Sequence, residues 1–374
     1  MRRSSSSAAA KATIDRQLPQ TSTPTPLLIP VSSTPQVRRC RLLRRYKRFL
    51  ADVVFPEDEN GDQDDDENVR FTTVHCPNTG PMTGLLDSCP RAEAWVSVAD
   101  DPKGTRKYKH TLEAIRPFEG GPIVGVHSAA ANKVVRALLE AGVLSEKGEG
   151  EGGEGEGFAL LPKLRAAEEE DGDGDGRRSS SSITAEVSYG GSKRKKGSSS
   201  SAGALSRADF LLQCGDERGG ELVLEVKSVT LAAEDDGGDG SDRKTSFPSS
   251  SSAPSRLALF PDTVSVRAQR HAADLEAEVV SSSRGKGGGL GGRRAAIVFL
   301  IQRGDCDSFS PSEACDPAYC RALRSAARAG VLVLAVRGEI VVGEGEREGK
   351  GLLFRYLGRA RVELGEDDEE EQER

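Results

Sequence analysis

No run of about 18 consecutive apolar residues occurs anywhere in the chain, which excludes a membrane-crossing helix on length. Histidine is scarce: His75, His110, His127 and His271 are the only four in 374 residues, and none stands at H-x-x-x-H spacing. The seven cysteines, at 40, 76, 89, 214, 306, 315 and 320, are an odd number without a C-x-x-C pair. Together these absences argue against a disulfide framework and against a cysteine–histidine zinc site, and a reducing compartment is the default. His75 and Cys76 are adjacent, so in a strand they point to opposite faces and cannot easily share a metal. Hydrophobic residues make up only 36% of the chain, so much of its length cannot be core.

What is present is concentrated in blocks. Glycine and serine are piled into runs, which places that excess in linkers. Acids are piled up too. Residues 57–68 carry −8, residues 146–176 carry −8 and the tail 363–374 carries −7, so the rest of a chain of net charge −7 stands at +16. A basic folded part with acidic linkers suits a protein that grips a polyanion, although both charges could serve solubility alone.

The length has room for two domains of roughly 100–200 residues each. Residues 1–36 are rich in Ser, Thr, Pro and Arg with one acid, Asp15. That composition reads as a disordered leader or a transit peptide for chloroplast or mitochondrion, and without such targeting the cytoplasm or nucleus is expected. Residues 37–120 show short β segments, Val69–His75, Ala94–Val98 and Tyr108–Ile115, with a Pro-Asn-Thr-Gly turn at 77–80. Residues 121–362 open on an amphipathic helix, Ser128–Ala141, closed by Gly142. Strands are expected at Ile183–Ser188, Ala208–Gln213, Glu221–Val229, Ala295–Ile301 and Val331–Val336. Helices are expected at Val264–Val279 and from the Asp316 N-cap and Pro317 to Gly330. Low-complexity stretches at about 145–182, 192–204, 232–256 and 281–293 read as disordered insertions, and 363–374 as an acidic tail. The fold class expected is α/β plus a small β-barrel or sandwich.

The chemistry-bearing pattern is Asp209 followed by Glu225-Val226-Lys227. Residues two apart on a strand share a face, so Glu225 and Lys227 project together. If Asp209 lies on the neighbouring strand, two carboxylates and an ammonium converge, a set that can hold Mg²⁺ or Mn²⁺ beside a phosphate. Glu186, on the preceding strand, is a further catalytic candidate. A surface salt bridge is the alternative. The segment Arg38–Phe49 interleaves seven bases with Tyr46 and Phe49, equipment that single-strand binders use, or it belongs to the targeting leader. Arg45, Tyr46, Lys47 and Arg48 are therefore binding candidates, with Arg106, Lys107 and Lys109 repeating the theme. Lys193–Lys196 reads as a solvated charge run.

The ordered blocks RYKRFLADV at 45–53, HCPNTGPMTG at 75–84, RKYKHT at 106–111, EVSYG at 186–190, SRADFLLQ at 206–213, LEVKSVTLA at 224–232 and FPDTVSVRAQRH at 260–271 resemble the sugar fermentation stimulation protein (SfsA) family, as a eukaryotic-type homologue with low-complexity insertions. The resemblance implies an OB-like N-terminal barrel, a PD-(D/E)XK nuclease-like C-terminal domain and DNA binding, with DNA favoured over RNA and no membrane partner. It places Asn78 and Thr79 among the nucleic-acid-binding candidates, and Glu186, Asp209, Glu225 and Lys227 on the family's metal-site pattern. Ala268 stands where the family has glycine, and residues 127–132 match loosely. The expected function is a DNA-binding protein with a divalent-metal-dependent nuclease-like site. The alternatives are a non-catalytic regulatory module and an organellar RNA-processing nuclease.

Overall fold

The computed structural model describes residues 26–58, 70–90, 92–101, 103–144, 161, 183–189, 206–213, 220–234, 256–284, 293–343 and 351–365. Most of the expected insertions, the leader up to residue 25, Lys193–Lys196 and the end of the acidic tail lie outside them.

The N-terminal domain is a six-stranded sheet of β2 (Val37–Tyr46), β3 (Leu50–Val54), β4 (Thr72–His75), β5 (Ala92–Val98), β6 (His110–Arg116) and β7 (Val124–Gly125). Their order is β4-β3-β2-β5-β6-β7, and an extra β4–β6 pairing at His75 and Thr111 closes the sheet into a barrel. Its interior is filled by Leu42, Val53, Val74, Met82, Leu85, Val96, Leu112 and Ile115, all fully buried. β2 and the turn that leads from it into β3 are the Arg38–Phe49 region read as a basic stretch. Its outward bases stand on a hairpin whose inward positions, Cys40 and Leu42, belong to the core.

The C-terminal domain is a ten-stranded mixed sheet. Nine strands run in the order β11 (Leu231–Glu234), β12 (Arg256–Phe260), β14 (Cys306–Pro311), β16 (Leu352–Val362), β15 (Leu332–Val342), β13 (Arg294–Gln302), β10 (Glu221–Val229), β9 (Ser206–Gln213) and β8 (Ile183–Tyr189). The β10–β13–β15 pairings are parallel and β8–β9–β10 antiparallel. Parallel strands covered on both faces read as unbroken apolar runs, and β13 shows why. Its Ala296, Val298 and Leu300 pack on the side of α1 (Ser128–Glu140), while Ala295, Ile297, Phe299 and Ile301 pack on the side of α2 (Val266–Arg284) and α3 (Pro317–Arg328). Asp316 caps α3 through Tyr319 N and also accepts from Ser265 N and Gln269, so one buried carboxylate fixes the starts of two helices.

Several expectations shift. The tenth strand, β1 (Leu28–Pro30), comes from the segment read as leader: it pairs with β16, and Ile29 and Val31 are buried in the C-terminal domain's core. Strand β11 and Arg256 of β12 take up the ends of the expected 232–256 insertion, and α2 runs to Arg284, into the expected 281–293 insertion. Leu161, inside the 145–182 stretch, is buried in the same core as α1. That core also takes Trp95 and Ala114 from the barrel, so apolar packing fixes the two domains against each other.

Candidate metal centre between the two domains

Strand β10 sorts its side chains by alternation. Leu222, Leu224 and Val226 join the core under α1, which sends Glu225 and Lys227 to the α2 side. The β9–β10 ladder runs as far as the pair Leu224–Phe210, and that register sets Asp209 beside Glu225. Beyond that ladder Val226 N donates to Asp209 Oδ2 at 2.7 Å, and Asn132 Nδ2, from α1, donates to Asp209 Oδ1 at 2.7 Å. Lys227 Nζ donates to Glu225 Oε1 at 2.7 Å, and the same oxygen meets His271 Nδ1, from α2, at 2.5 Å. The Glu225 side chain is 6% exposed and that of Lys227 11%.

A buried carboxylate and a half-buried one side by side repel. Burial first, and then the charge of Glu225, push the Asp209 carboxyl above the ordinary carboxylate range, against the two hydrogen bonds it accepts. Burial also pushes Glu225 up, but the His271 hydrogen bond and the Lys227 charge prevail and hold it below its ordinary value. Glu225 Oε2 is buried and has no hydrogen-bond partner among the described residues. An orphaned carboxylate oxygen next to a second carboxylate of raised pKa is the donor set that a hard divalent cation satisfies. Among the described residues no group of three or more His, Cys, Asp or Glu side chains is arranged to hold a metal. Asp209 and Glu225 would therefore leave most of a cation's coordination to water and ligand oxygens, the habit of Mg²⁺.

These residues stand in a cavity of about 450 Å³ lined by both domains. The barrel contributes Arg48, Asn78, Thr79 and Gly80, α1 contributes Asn132, and the loop before α2 contributes Asp262. Asp262 Oδ2 accepts from Met82 N at 3.1 Å, and Thr83 Oγ1 donates to the Asp262 carbonyl at 3.2 Å, tying the domains together at the cavity wall.

The sequence candidates separate on this geometry. Asp209, Glu225 and Lys227 converge. Glu186 does not: its side chain is 73% exposed, ion-paired with Arg207 at 2.5 Å, and does not line the cavity. The pairings Ala185–Phe210 and Val187–Ala208 bracket Glu186 opposite Asp209, but its left-handed backbone, φ 55°, breaks the alternation that would have shared the face. Among the binding candidates, Arg48 lines the cavity and donates through Nε to Thr79 O at 3.1 Å. Lys47 shares the exposed hairpin tip, both residues having positive φ. The Arg45 guanidinium is committed to carbonyls of Asn78, Pro81 and Arg48, bracing the loop. Tyr46 donates to the buried Asp52 at 3.0 Å, so its hydroxyl serves the barrel. The Asn78 side chain closes a turn, accepting from Gly80 N and donating to Val126 O. Thr79 lines the cavity, whereas Arg106, Lys107 and Lys109 sit on an exposed loop whose backbone is capped by Asp101, away from the cavity lining. Asn132, Asp262 and His271 are the members that sequence reading left without a role. Asp262 and His271 fall inside the block 260–271, but only the fold gives them their partners, Met82 and Thr83 of the barrel loop for Asp262 and Glu225 of β10 for His271.

Family models match two regions, "SfsA N-terminal OB domain" over residues 43–126 and "Sugar fermentation stimulation protein RE domain" over 180–343. A sugar fermentation stimulation protein homolog of Halorhodospira halophila is 36% identical over 79% of this chain and 87% of its own. The Nostoc punctiforme homolog is 32% identical over 86% of this chain and 94% of its own. The chain belongs to the SfsA family. The six-stranded barrel is thus the SfsA OB domain, and the mixed α/β sheet that carries the candidate residues Asp209, Glu225 and Lys227 is the second SfsA domain. A solved structure of Pyrococcus furiosus SfsA in complex with Ca²⁺ shares the fold, with a TM-score of 0.52 at 20% identity, over 90% of this chain and 99% of that one. No helix among the described residues is long and apolar enough to cross a membrane.

Proposed function

We propose that the protein binds DNA and carries a divalent-metal-dependent phosphodiester-cleaving site at Asp209, Glu225 and Lys227. The observation that carries this reading is the buried Oε2 of Glu225 beside Asp209, which has no partner among the described residues, with an ammonium 2.7 Å from the other Glu225 oxygen. An acid on one strand and an E-x-K on the next, within a mixed sheet, fits the PD-(D/E)XK nuclease pattern. The Ca²⁺ in the Pyrococcus furiosus relative supports a preference for hard cations.

Asp209 and Glu225 would hold Mg²⁺ or Mn²⁺, which when bound supplies Lewis acidity and a coordinated water of lowered pKa. His271 and Asn132 fix the two carboxylates in place. Lys227 carries the positive charge that faces a phosphate entering the cavity, and its ammonium can donate to and orient the attacking water. The OB barrel brings Arg48 to the same cavity and sets Lys47 at the exposed hairpin tip beside it. One observation favours a second reading, a DNA-binding module without turnover: Lys227 Nζ is already engaged by Glu225 and lies 3.5 Å from His271 Nδ1.

The deciding experiment incubates the purified protein with labelled DNA and RNA, with and without Mg²⁺ or Mn²⁺. Metal-dependent cleavage of DNA is expected, and RNA cleavage in its place would point to RNA processing. Binding that falls with salt by about one power per phosphate contact, without cleavage of either, would leave the binding module.

A further inference from the structure

We infer that the site takes an unpaired stretch of nucleic acid, a single strand or a frayed end, and that Arg48 and Phe49 at the barrel hairpin hold that strand at the cavity mouth. The inference rests on the phosphodiester reading of the centre and adds its substrate class.

Depth is the first argument. The Glu225 and Lys227 side chains lie almost wholly below the surface, at the floor of a concavity. A phosphate on the outside of a base-paired helix stays with its neighbours on a broad convex rod and cannot descend to them. A cavity of about 450 Å³ is in the range that encloses a small ligand, of the order of one nucleotide unit with its phosphate. Enzymes that must reach a group held inside the helix act on single strands or draw the nucleotide out of the stack, and a recessed site asks the same of the strand that enters it.

Rigidity is the second. The loop 77–84 forms one wall and is tied to both domains. Ser128 Oγ donates to Pro77 O, Asn78 Nδ2 to Val126 O, Met82 N to Asp262 Oδ2 and Thr83 Oγ1 to Asp262 O. Gly80 is pressed so close to Asp262 that a Cβ there would lie 2.8 Å from both carboxylate oxygens. Apolar packing of Trp95 and Ala114 into the C-terminal core fixes the domains behind this wall. The cleft cannot widen to admit a duplex without breaking these contacts.

The third is the equipment at the mouth. Arg48 lines the cavity, and its guanidinium carbon lies 5.6 Å from the ring centroid of Phe49, which is 42% exposed. A guanidinium for a phosphate beside an exposed aromatic face for a base is the pairing that holds unpaired strands without regard to sequence.

The test uses the full chain. Affinity is measured by fluorescence anisotropy for one labelled oligodeoxynucleotide as single strand, as blunt duplex and as duplex with an unpaired tail, using Lys227→Ala protein in Mg²⁺ so that substrate survives. The single strand and the tailed duplex should bind about tenfold more tightly than the blunt duplex, the scale of one stacking or phosphate contact. Arg48→Ala or Phe49→Ala, with Arg48→Gln as a milder variant, should weaken single-strand and tailed-duplex binding more than blunt-duplex binding and so remove most of that preference. Wild-type cleavage should fall in the single strand and the tail. Equal binding and equal cleavage of the blunt duplex would overturn the substrate inference while leaving the phosphodiester site standing. A single-strand preference that depends on Arg48, with no cleavage of any substrate, would sink the phosphodiester site and leave the strand-binding inference intact.

Discussion

Asn132 Nδ2 donates a 2.7 Å hydrogen bond to Asp209 Oδ1, so the helix that follows the OB domain aims a carboxylate belonging to the other domain's sheet. Without that donor, burial and the Glu225 charge act on Asp209 with less opposition. Asn132→Ala is expected to raise the Asp209 pKa further and to weaken divalent-cation binding by about tenfold, the scale of losing a positioning partner. Titration of the thermal shift with Mn²⁺ measures this, and unchanged affinity would show that Asn132 is structural only.

His271 is buried and meets the same Glu225 oxygen that Lys227 does. Its loss should leave that carboxylate free to turn toward Lys227. His271→Ala is expected to cost about 2–3 kcal/mol of stability through the vacated space and the lost bond. His271→Gln, which can still donate, should recover part of the stability and part of the metal affinity. Recovery of stability without recovery of metal affinity would confine His271 to packing.

Ile29 tests the unexpected first strand. It is buried against the C-terminal core and paired with Phe354 on β16. Ile29→Ala should destabilise by about 2–5 kcal/mol. The fluorescence of Trp95, the single tryptophan, lies in the same core and reports the urea midpoint. A change within about 0.5 kcal/mol would return this segment to a dispensable leader.

Glu113 supplies the pH dependence. Burial pushes its carboxyl up, but hydrogen bonds from His127, Ser33 N and Ser97, and the His127 charge, prevail and hold it below its ordinary 4.5. A carboxylate of depressed folded pKa contributes stability that is present above the unfolded value and is lost as pH falls through the folded one. Wild type should therefore exceed Glu113→Gln in melting temperature at neutral pH, and the gap should close as pH drops below about 4.5. A gap that is constant across that range would remove the charge from the account.

What was legible in the sequence followed strand periodicity. Glu225 and Lys227 share a face because residues two apart on a strand do, and the apolar run 295–301 announced a strand buried on both sides. What was not legible arose from chain reversals and from packing between distant elements. Glu186 obeys the same alternation until its left-handed backbone breaks it, and nothing in its neighbours signals that φ. β14 carries Asp307, Ser308 and Ser310, and β16 carries three arginines, so neither reads as an apolar strand although both lie well inside the sheet. Arg45 looked like a phosphate contact because charge alone does not reveal that three carbonyls already hold it. Asn132 and His271 reach the carboxylates from two helices on opposite faces of the sheet, a meeting that only the fold produces.

The account stands most directly on cleavage of labelled single-stranded DNA by wild type, Asp209→Asn and Lys227→Ala proteins in Mg²⁺ or Mn²⁺, with melting temperature read in parallel. Wild type should cleave with metal and stop on chelation. Asp209→Asn should lose both cleavage and the metal-induced rise in melting temperature. Lys227→Ala should lose cleavage by about 10²-fold or more yet keep that rise, because an ammonium is not a metal ligand. Cleavage that survives chelation, or survives in either variant at the wild-type rate, would contradict the assignment of the chemistry to these residues.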